Sequence, residues 1–308
     1  MSLLKIAERT TDFSERIIDL TECVSEAEVR PQDIGNILLD AGRLSRQDLY
    51  RIVALQAKEN ILFGEAAVEL GILNDEDVRW ALASQYSYPS SNTDDLRYSR
   101  DLLVLHEPFG TRVESFRSIR SALIFSGVGK LISSIGVVSP GEGEGKTFVA
   151  ANLAVIFAQL GSRTLLVDLN FRSPRVHTLF QLKNNCGASS LIIKRAFAED
   201  AIKKTSLSSL DILPSGPKPP NPLELLSWRE TAQLFENMKD SYEVIVFDTP
   251  AFGKSTDGMV ISGFCDATLL VALKGVTKNA AFGQVKKQLE GAGAKILGSV
   301  VNEIDERR

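Results

Sequence analysis

The sequence predicts an α/β protein with a mostly parallel, doubly wound sheet, preceded by a small all-α domain built from a tandem repeat. Three observations carry this prediction. From residue 131 onward, short β-branched runs alternate with helical stretches, the pattern of a parallel sheet covered on both faces. A glycine-rich loop, "SPGEGEGKTFVAANLA" (139–154), stands between the first of these strands and a helix. Upstream, two 24-residue segments repeat at a constant offset.

Composition bounds the classes that remain. A chain of 308 residues has room for two domains, and 44% apolar with 24% charged residues reads as a folded soluble protein. The formal net charge of −4 argues against a nucleic-acid binder held by a general positive field. Cys23, Cys186 and Cys265 have no metal-ligand or CxxC spacing, and no signal peptide is evident, so a cytoplasmic setting is expected. No apolar run approaches the ~20 residues of a membrane span. Work at a membrane would require recruitment by a partner.

Taken in order, residues 1–30 form a polar tail in which "DFSERIIDL" is a short helix candidate. Residues 31–88 hold the repeat: "DIGNILLDAGRLSRQDLYRIVALQ" (33–56) and "LFGEAAVELGILNDEDVRWALASQ" (62–85) match at an offset of 29. Gly35 aligns with Gly64, Gly42 with Gly71, Leu44 with Leu73, Asp48 with Asp77 and Gln56 with Gln85. Each copy reads as a helix, a glycine C-cap, a polar N-cap (Ser45, Asn74) and a second amphipathic helix. Residues 89–107 read as a linker, within which the polar stretch "YPSSNTDDLRYSRD" (88–101) is rich in turn formers and not expected to be regular. "TRVESFRSIRSALIF" (111–125) opens the 108–308 domain as a helix. The strand candidates are "LISSIGVVS", "RTLLVDLN", "LDILPSG", "EVIVFDTP", "ATLLVALK" and "KILGSVVNE", with a proline-rich connection at 214–226.

The loop at 139–154 has the context of a phosphate-binding loop, which makes the sheet that of a P-loop NTPase. Gly141, Gly143 and Gly145 let consecutive backbone N–H groups face one concavity at the positive end of the following helix. Lys146 would reach the β- and γ-phosphates, and the Thr147 hydroxyl would bind Mg²⁺. The pattern departs from GxxxxGK[ST] at its first position, occupied by Pro140. Two further strands end in acids, Asp168 in "LLVDLNFR" and Asp248 in "VIVFDTP". Ligands of open α/β sheets lie at the carboxyl ends of strands, so both should project towards the loop as metal and catalytic groups.

The P-loop, the second acidic motif "VDLNFR" and "VFDTP" together resemble the bacterial tyrosine kinases of exopolysaccharide synthesis, over roughly residues 108–303. "GSVVNEI" fits the same family and implies that Asn302 contacts adenine. The resemblance implies ATP or ADP with Mg²⁺, held by Gly141, Glu142, Gly143, Glu144, Gly145, Lys146, Thr147 and Phe148. Thr147, Asp168 and Asp248 would serve the metal, Asp168 would orient and partly deprotonate a tyrosine hydroxyl, and Arg172 would complete the site. It further implies an oligomer contact through the Glu-x-x-Arg-x-x-Arg pattern of Glu114, Arg117 and Arg120. An ordinary solvated ion-pair face would have the same spacing. The domain order is similar to the chain-length-determinant kinases with a secretion-ATPase-like helical domain in front. The implied partner is a membrane polysaccharide copolymerase that controls chain length.

Two features depart from that family. Asn170 stands where a second Asp is usual, removing a charge that Mg²⁺ prefers. A tyrosine-rich tail is replaced by "EIDERR", and none of the five tyrosines lies beyond Tyr242. Tyr86, Tyr88 and Tyr98 are alternative acceptors or interdomain packing groups, and a kinase reaction would need another protein as substrate. An alternative is a non-kinase switch like the partitioning ATPases, which carry an early P-loop lysine where this chain has Gly141.

The repeat resembles the N-terminal domain of secretion and pilus ATPases, some of which bind cyclic di-GMP. Gly35, Leu38, Gly42, Arg43, Leu49, Gln56, Gly64, Gly71 and Gln85 are the residues such a ligand would use. Asp33 and Leu62 occupy positions where the ligand-binding family has Arg, a loss of ~1.5–3 kcal/mol per charged hydrogen bond. Arg30 or Arg43 would have to substitute. A protein-docking module is the other reading.

Overall fold

The computed structural model describes residues 34–85, 98–108, 110–126, 132–253 and 255–303. The expectations placed on the tail, Arg30, Asp33, Tyr86 and Tyr88 lie outside them. The chain divides into two compact units, Met1–Tyr88 and Pro89–Arg308.

In the first unit, helices α1 (Ile34–Asp40), α2 (Arg46–Glu59), α3 (Phe63–Glu69) and α4 (Asp75–Gln85) follow the two copies. Gly42 (φ +68) and Gly71 (φ +63) take the left-handed conformation that ends α1 and α3, and each closes its helix with a backbone bond (Gly42 N to Leu39 O and Gly71 N to Val68 O, both 2.9 Å). Ser45 Oγ and Asn74 Oδ1 then accept from Asp48 N (3.2 Å) and Asp77 N (2.8 Å), capping α2 and α4. The buried apolar set is Ile37, Leu38, Leu44 and Ile52 with Ala66, Ala67, Leu73 and Ala81, four pairs at the repeat offset of 29. The copies are therefore equivalent in space as well as in sequence.

The second unit is a seven-stranded sheet: β1 (Ser134–Val138), β2 (Thr164–Asp168), β3 (Lys203–Lys204), β4 (Leu210–Leu213), β5 (Val244–Asp248), β6 (Ala267–Leu273) and β7 (Ile296–Asn302). Their order is β3-β4-β2-β5-β1-β6-β7, parallel except for β3. Side chains alternate between two cores. Leu166, Val244 and Val246 face the side covered by α6 (Thr111–Ser126) and α7 (Lys146–Gln159). Leu165, Val167, Ile245 and Phe247 face Leu225, Phe235 and Ile261 of α8 (Pro222–Ser227), α9 (Arg229–Met238) and α10 (Asp257–Gly263). Strands buried on both faces read as continuous apolar runs, which is why they were legible. β3 was not anticipated, because a two-residue antiparallel strand has no periodicity to read.

The second half of the segment 89–107 packs into the α/β unit. Leu102, Leu103, Val104 and Leu105, part of a helical turn α5 (Leu103–His106), are buried in the core beside α7. Fully buried Asn152 on α7 fixes the strap: its Oδ1 accepts Val104 N (3.0 Å) and its Nδ2 donates to Asp101 O (2.8 Å). Ser99 N donates to Leu179 O (2.9 Å), and Tyr98 packs edge-on against Phe180 with its hydroxyl at Ser206 Oγ (2.8 Å). Tyr98 thus packs within the α/β unit. The polar residues around 98–101 are turn formers because they anchor a strap.

Candidate functional site

The carboxyl ends of β1, β2 and β5 converge on one cleft. The loop after β1 folds upon itself: Gly141 N donates to Glu144 Oε2 (2.7 Å), and Glu144 Oε1 accepts Thr277 Oγ1 (2.6 Å). Glu144 is therefore a buried internal brace of the loop, while Glu142 is exposed on the cavity wall. Gly143 (φ +74) and Gly145 (φ +93) supply backbone turns that side chains rarely adopt. Asn302, at the end of β7, lies against this loop. Its Nδ2 is 3.3 Å from Glu144 O, and a Cβ on Gly145 would stand 2.1 Å from it.

Lys146 opens α7 almost wholly buried, with Nζ donating to Ser139 Oγ (3.0 Å) and Gly141 O (3.1 Å). Burial lowers its pKa, and the charges of Asp248, Glu144 and Glu142 oppose that shift. Thr147 Oγ1 donates to Asp248 Oδ2 (2.7 Å). Asp168 and Asp248 are register partners in β2 and β5, both fully buried. Asp168 Oδ1 accepts Asn170 N (3.0 Å), and Oδ2 accepts Arg175 N and Val176 N (both 3.1 Å). Burial, then the charge of Asp248, raises the Asp168 pKa well above the usual carboxylate range in spite of those bonds. Burial likewise pushes Asp248 up to about 6, against the Thr147 hydroxyl and Lys146 charge.

Lys146 and Thr147 border a cavity of ≈ 290 Å³ that is also walled by Phe148, Asn170, Arg172 and Arg175, whereas the fully buried Asp168 and Asp248 are not part of its lining. Asn170 keeps the local turn, its Oδ1 accepting Ser173 N (3.2 Å). Arg172 forms a two-pronged pair with the buried Asp257 (Nε–Oδ2 2.8 Å, Nη2–Oδ1 3.1 Å). Sequence reasoning missed Asp257, Arg175, Ser139 and Thr277. Nothing local marks them, since each acts through a contact made by the fold. Asp101, on the strap, also reaches the cavity wall.

The donor set suits a hard divalent cation. Asp248 Oδ1 is buried with no hydrogen-bond partner, and a hydroxyl and a second carboxylate lie beside it. Among the described residues no group of three or more His, Cys, Asp or Glu forms a cage. Mg²⁺ usually keeps waters and phosphate oxygens as most of its ligands, so few protein donors are needed.

The other predicted groups stand apart from the cleft. On α6, Glu114 pairs with Arg117, whose Nη2 also donates to Pro108 O (2.6 Å). Arg120 Nη1 donates to Ile156 O (3.1 Å), so both arginines are anchored within their own chain, a feature that the expected solvated face lacked. In the helical unit, Arg43 pairs with Asp77 (2.9 Å) and lies 4.4 Å over the Trp80 ring. Leu38 is core, Gly35 and Gly64 abut Leu49 and Val78, and Gln56 is half-buried. The side chain of Gln85 lies outside the described residues.

Fold and cleft together define a P-loop nucleotide-binding protein. In agreement, a family model described as the CobQ/CobB/MinD/ParA nucleotide binding domain matches residues 135–308. Tyrosine-protein kinase YwqD of Bacillus subtilis (strain 168) is 36% identical over 206 residues, 67% of this chain and 87% of that protein. The putative tyrosine-protein kinase CapB of Staphylococcus aureus is 37% identical over 203 residues, 66% and 89% of the two chains. Among solved structures, the chimerical protein CapA2B2 aligns with a TM-score of 0.65 and 35% identity, covering 76% of this chain and all 100% of that one. The kinase domain of Escherichia coli tyrosine kinase ETK aligns with a TM-score of 0.64 and 28% identity, covering 67% and 81%. The chain belongs to the bacterial tyrosine-protein-kinase family. No helix among its described residues is long and apolar enough to cross a membrane.

Proposed function

We propose that this chain is an ATP-dependent tyrosine-protein kinase that acts with a membrane copolymerase to regulate the polymerisation, length and export of an exopolysaccharide. The observation that carries the reading is the clustering of Lys146 and Thr147 with the register-paired Asp168 and Asp248 at the carboxyl ends of β1, β2 and β5, in a chain related to named tyrosine kinases. The backbone amides of 141–147 cradle the phosphates, Lys146 exchanges its internal bonds for phosphate oxygens, and Thr147 and Asp248 hold Mg²⁺. Mg²⁺, when bound, supplies charge neutralisation. Asp168 in its ionised form, made a stronger proton acceptor by burial, takes the proton of the tyrosine hydroxyl as that oxygen bonds to the γ-phosphorus and the bond to ADP breaks. Arg172 and Asn170 shape the wall where the hydroxyl enters.

The partitioning-type alternative calls for a lysine at position 141. The loop is instead built around Gly141, where a Cβ would stand 2.9 Å from Glu144 Oε1, and this supports the kinase reading. In the helical unit, the engagement of Arg43 by Asp77 and Trp80 supports protein docking over cyclic di-GMP. The full chain, incubated with labelled ATP, Mg²⁺ and the cytoplasmic segments of the copolymerase, is expected to yield phosphotyrosine that disappears in Lys146→Met. ATP hydrolysis and ATP-dependent assembly without phosphotyrosine would reverse the order of the two readings.

A further inference from the structure

A second cavity, ≈ 390 Å³, opens where the proline-rich run 214–221 leaves β4. Leu213 is the register partner of Val167, so the run departs from the carboxyl edge of the sheet one strand away from Asp168. It is pinned from within at four successive residues. Pro214 O accepts Ala188 N (2.7 Å), Ser215 O accepts Ser189 N (2.9 Å), Gly216 N donates to Asn184 Oδ1 (2.7 Å), and Pro217 O accepts Ser189 Oγ (2.6 Å). Two glycines permit this approach: a Cβ on Gly187 would lie 2.0 Å from Pro214 O, and Gly216 has φ +77. The loop is ordered before anything binds, which lowers the entropic cost of binding.

Its outer face is apolar and cationic. Ile193 (40% exposed) and Trp228 (46%) flank Pro219 and Pro220 over the buried Leu225. Arg195 and Lys218 stand on the rim, and among the described residues neither has a carboxylate partner. The acidic member of the lining, Glu224, is held by Asn221 Nδ2 (2.9 Å). Proline rings and an indole offer flat faces for an aromatic side chain, and prolines contribute no competing N–H. Two unpaired cations select an acidic ligand over a basic one.

We infer that this groove docks an extended, acidic, tyrosine-bearing segment of the protein substrate, an inference that rests on the kinase reading above. The groove holds the segment beside the cleft, and the cations set its preference for acidic flanks.

The test uses the full chain and a fluorescein-labelled decapeptide with one tyrosine among aspartates and glutamates, read by anisotropy. Arg195→Glu with Lys218→Glu, surface changes that leave the core intact, is expected to weaken binding about 10-fold or more, as is Trp228→Ala. A peptide with lysines replacing the acids should bind the charge-reversed variant better than the wild type. Affinity for a fluorescent ATP analogue should not change. Unchanged peptide affinity in these variants would overturn the groove. So would variants that alter only the sedimentation mass of the chain, which would make the groove a self-contact. A peptide that binds through the groove but never receives phosphate leaves the groove standing and removes the kinase reading. Phosphorylation with unaltered KM in the variants does the reverse.

Discussion

Asp168 and Asp248 are register partners on adjacent parallel strands, and both carboxyls are fully buried. Two like charges side by side in a dry interior are unfavourable, so the chain keeps protons there that water would remove. Burial raises Asp248 from 3.8 to about 6, and the folded chain therefore binds this proton more tightly than the unfolded chain does. The stability so gained is full below about pH 4 and is lost as pH rises through about 6. Asp248→Asn removes the charge, keeps an acceptor for Thr147 Oγ1, and is expected to stabilise the nucleotide-free protein at pH 8 by on the order of 2 kcal/mol. Thermal unfolding from pH 5 to pH 8 checks this: the wild-type Tm should fall across the window more steeply than that of the variant. Mg²⁺-dependent nucleotide affinity should be lost in the same variant.

The sheet and the cleft were largely legible because their signals are local. An apolar strand ending in Asp, or glycines before Lys-Thr, can be read within eight residues. The strap at 98–106 was not, because its meaning depends on Asn152, some fifty residues downstream on another element. The same holds for Arg172, whose partner Asp257 comes from a different crossover, and for Glu144, which braces the loop that a phosphate would enter. Residues whose partners are tertiary leave no pattern in a linear chain.

Asn152 supplies the sharpest test of the strap. Removing its amide leaves the buried Val104 N–H without its acceptor, at ~1–3 kcal/mol, and takes the Nδ2 donor away from Asp101 O. Asn152→Ala should lower the urea midpoint of the α/β unit accordingly. It should also weaken nucleotide binding, since Asp101 and Lys146 share a cavity wall. A midpoint within error of wild type would show that the strap contributes little.

At Gly145 two costs can be separated. Alanine there meets Asn302 Nδ2 at 2.1 Å, a clash that a flexible side chain relieves cheaply, but it must also adopt φ +93. A side chain held in a left-handed conformation costs ~1–2 kcal/mol. Gly145→Ala is therefore expected to weaken binding of a fluorescent ATP analogue about 10-fold or more, and adding Asn302→Ala should restore little. Full recovery in the double variant would make the contact with Asn302, and not the backbone, the reason for glycine.

The repeat makes a prediction of asymmetry. Gly35 and Gly64 are equivalent by the offset of 29, and each lets the second helix of its copy approach: a Cβ would lie 2.7 Å from Leu49 Cδ1 in one copy and 2.6 Å from Val78 Cγ1 in the other. Leu49 Cδ1 is the far end of a flexible side chain and can swing away. Val78 is β-branched and in a helix has one strongly preferred rotamer, so its methyl can yield only if the helix moves. Gly64→Ala is thus expected to destabilise the helical unit by ~1–3 kcal/mol through overpacking, and Gly35→Ala by clearly less. Val78→Ala should rescue Gly64→Ala in part, whereas Leu49→Ala should add its own loss to Gly35→Ala. Hydrogen exchange on the full chain reads the two units separately: protection should drop over residues 63–85 in Gly64→Ala and remain unchanged around the nucleotide cleft. Equal losses in the two glycine variants would mean that the copies are held by backbone approach alone, with side-chain stiffness playing no part.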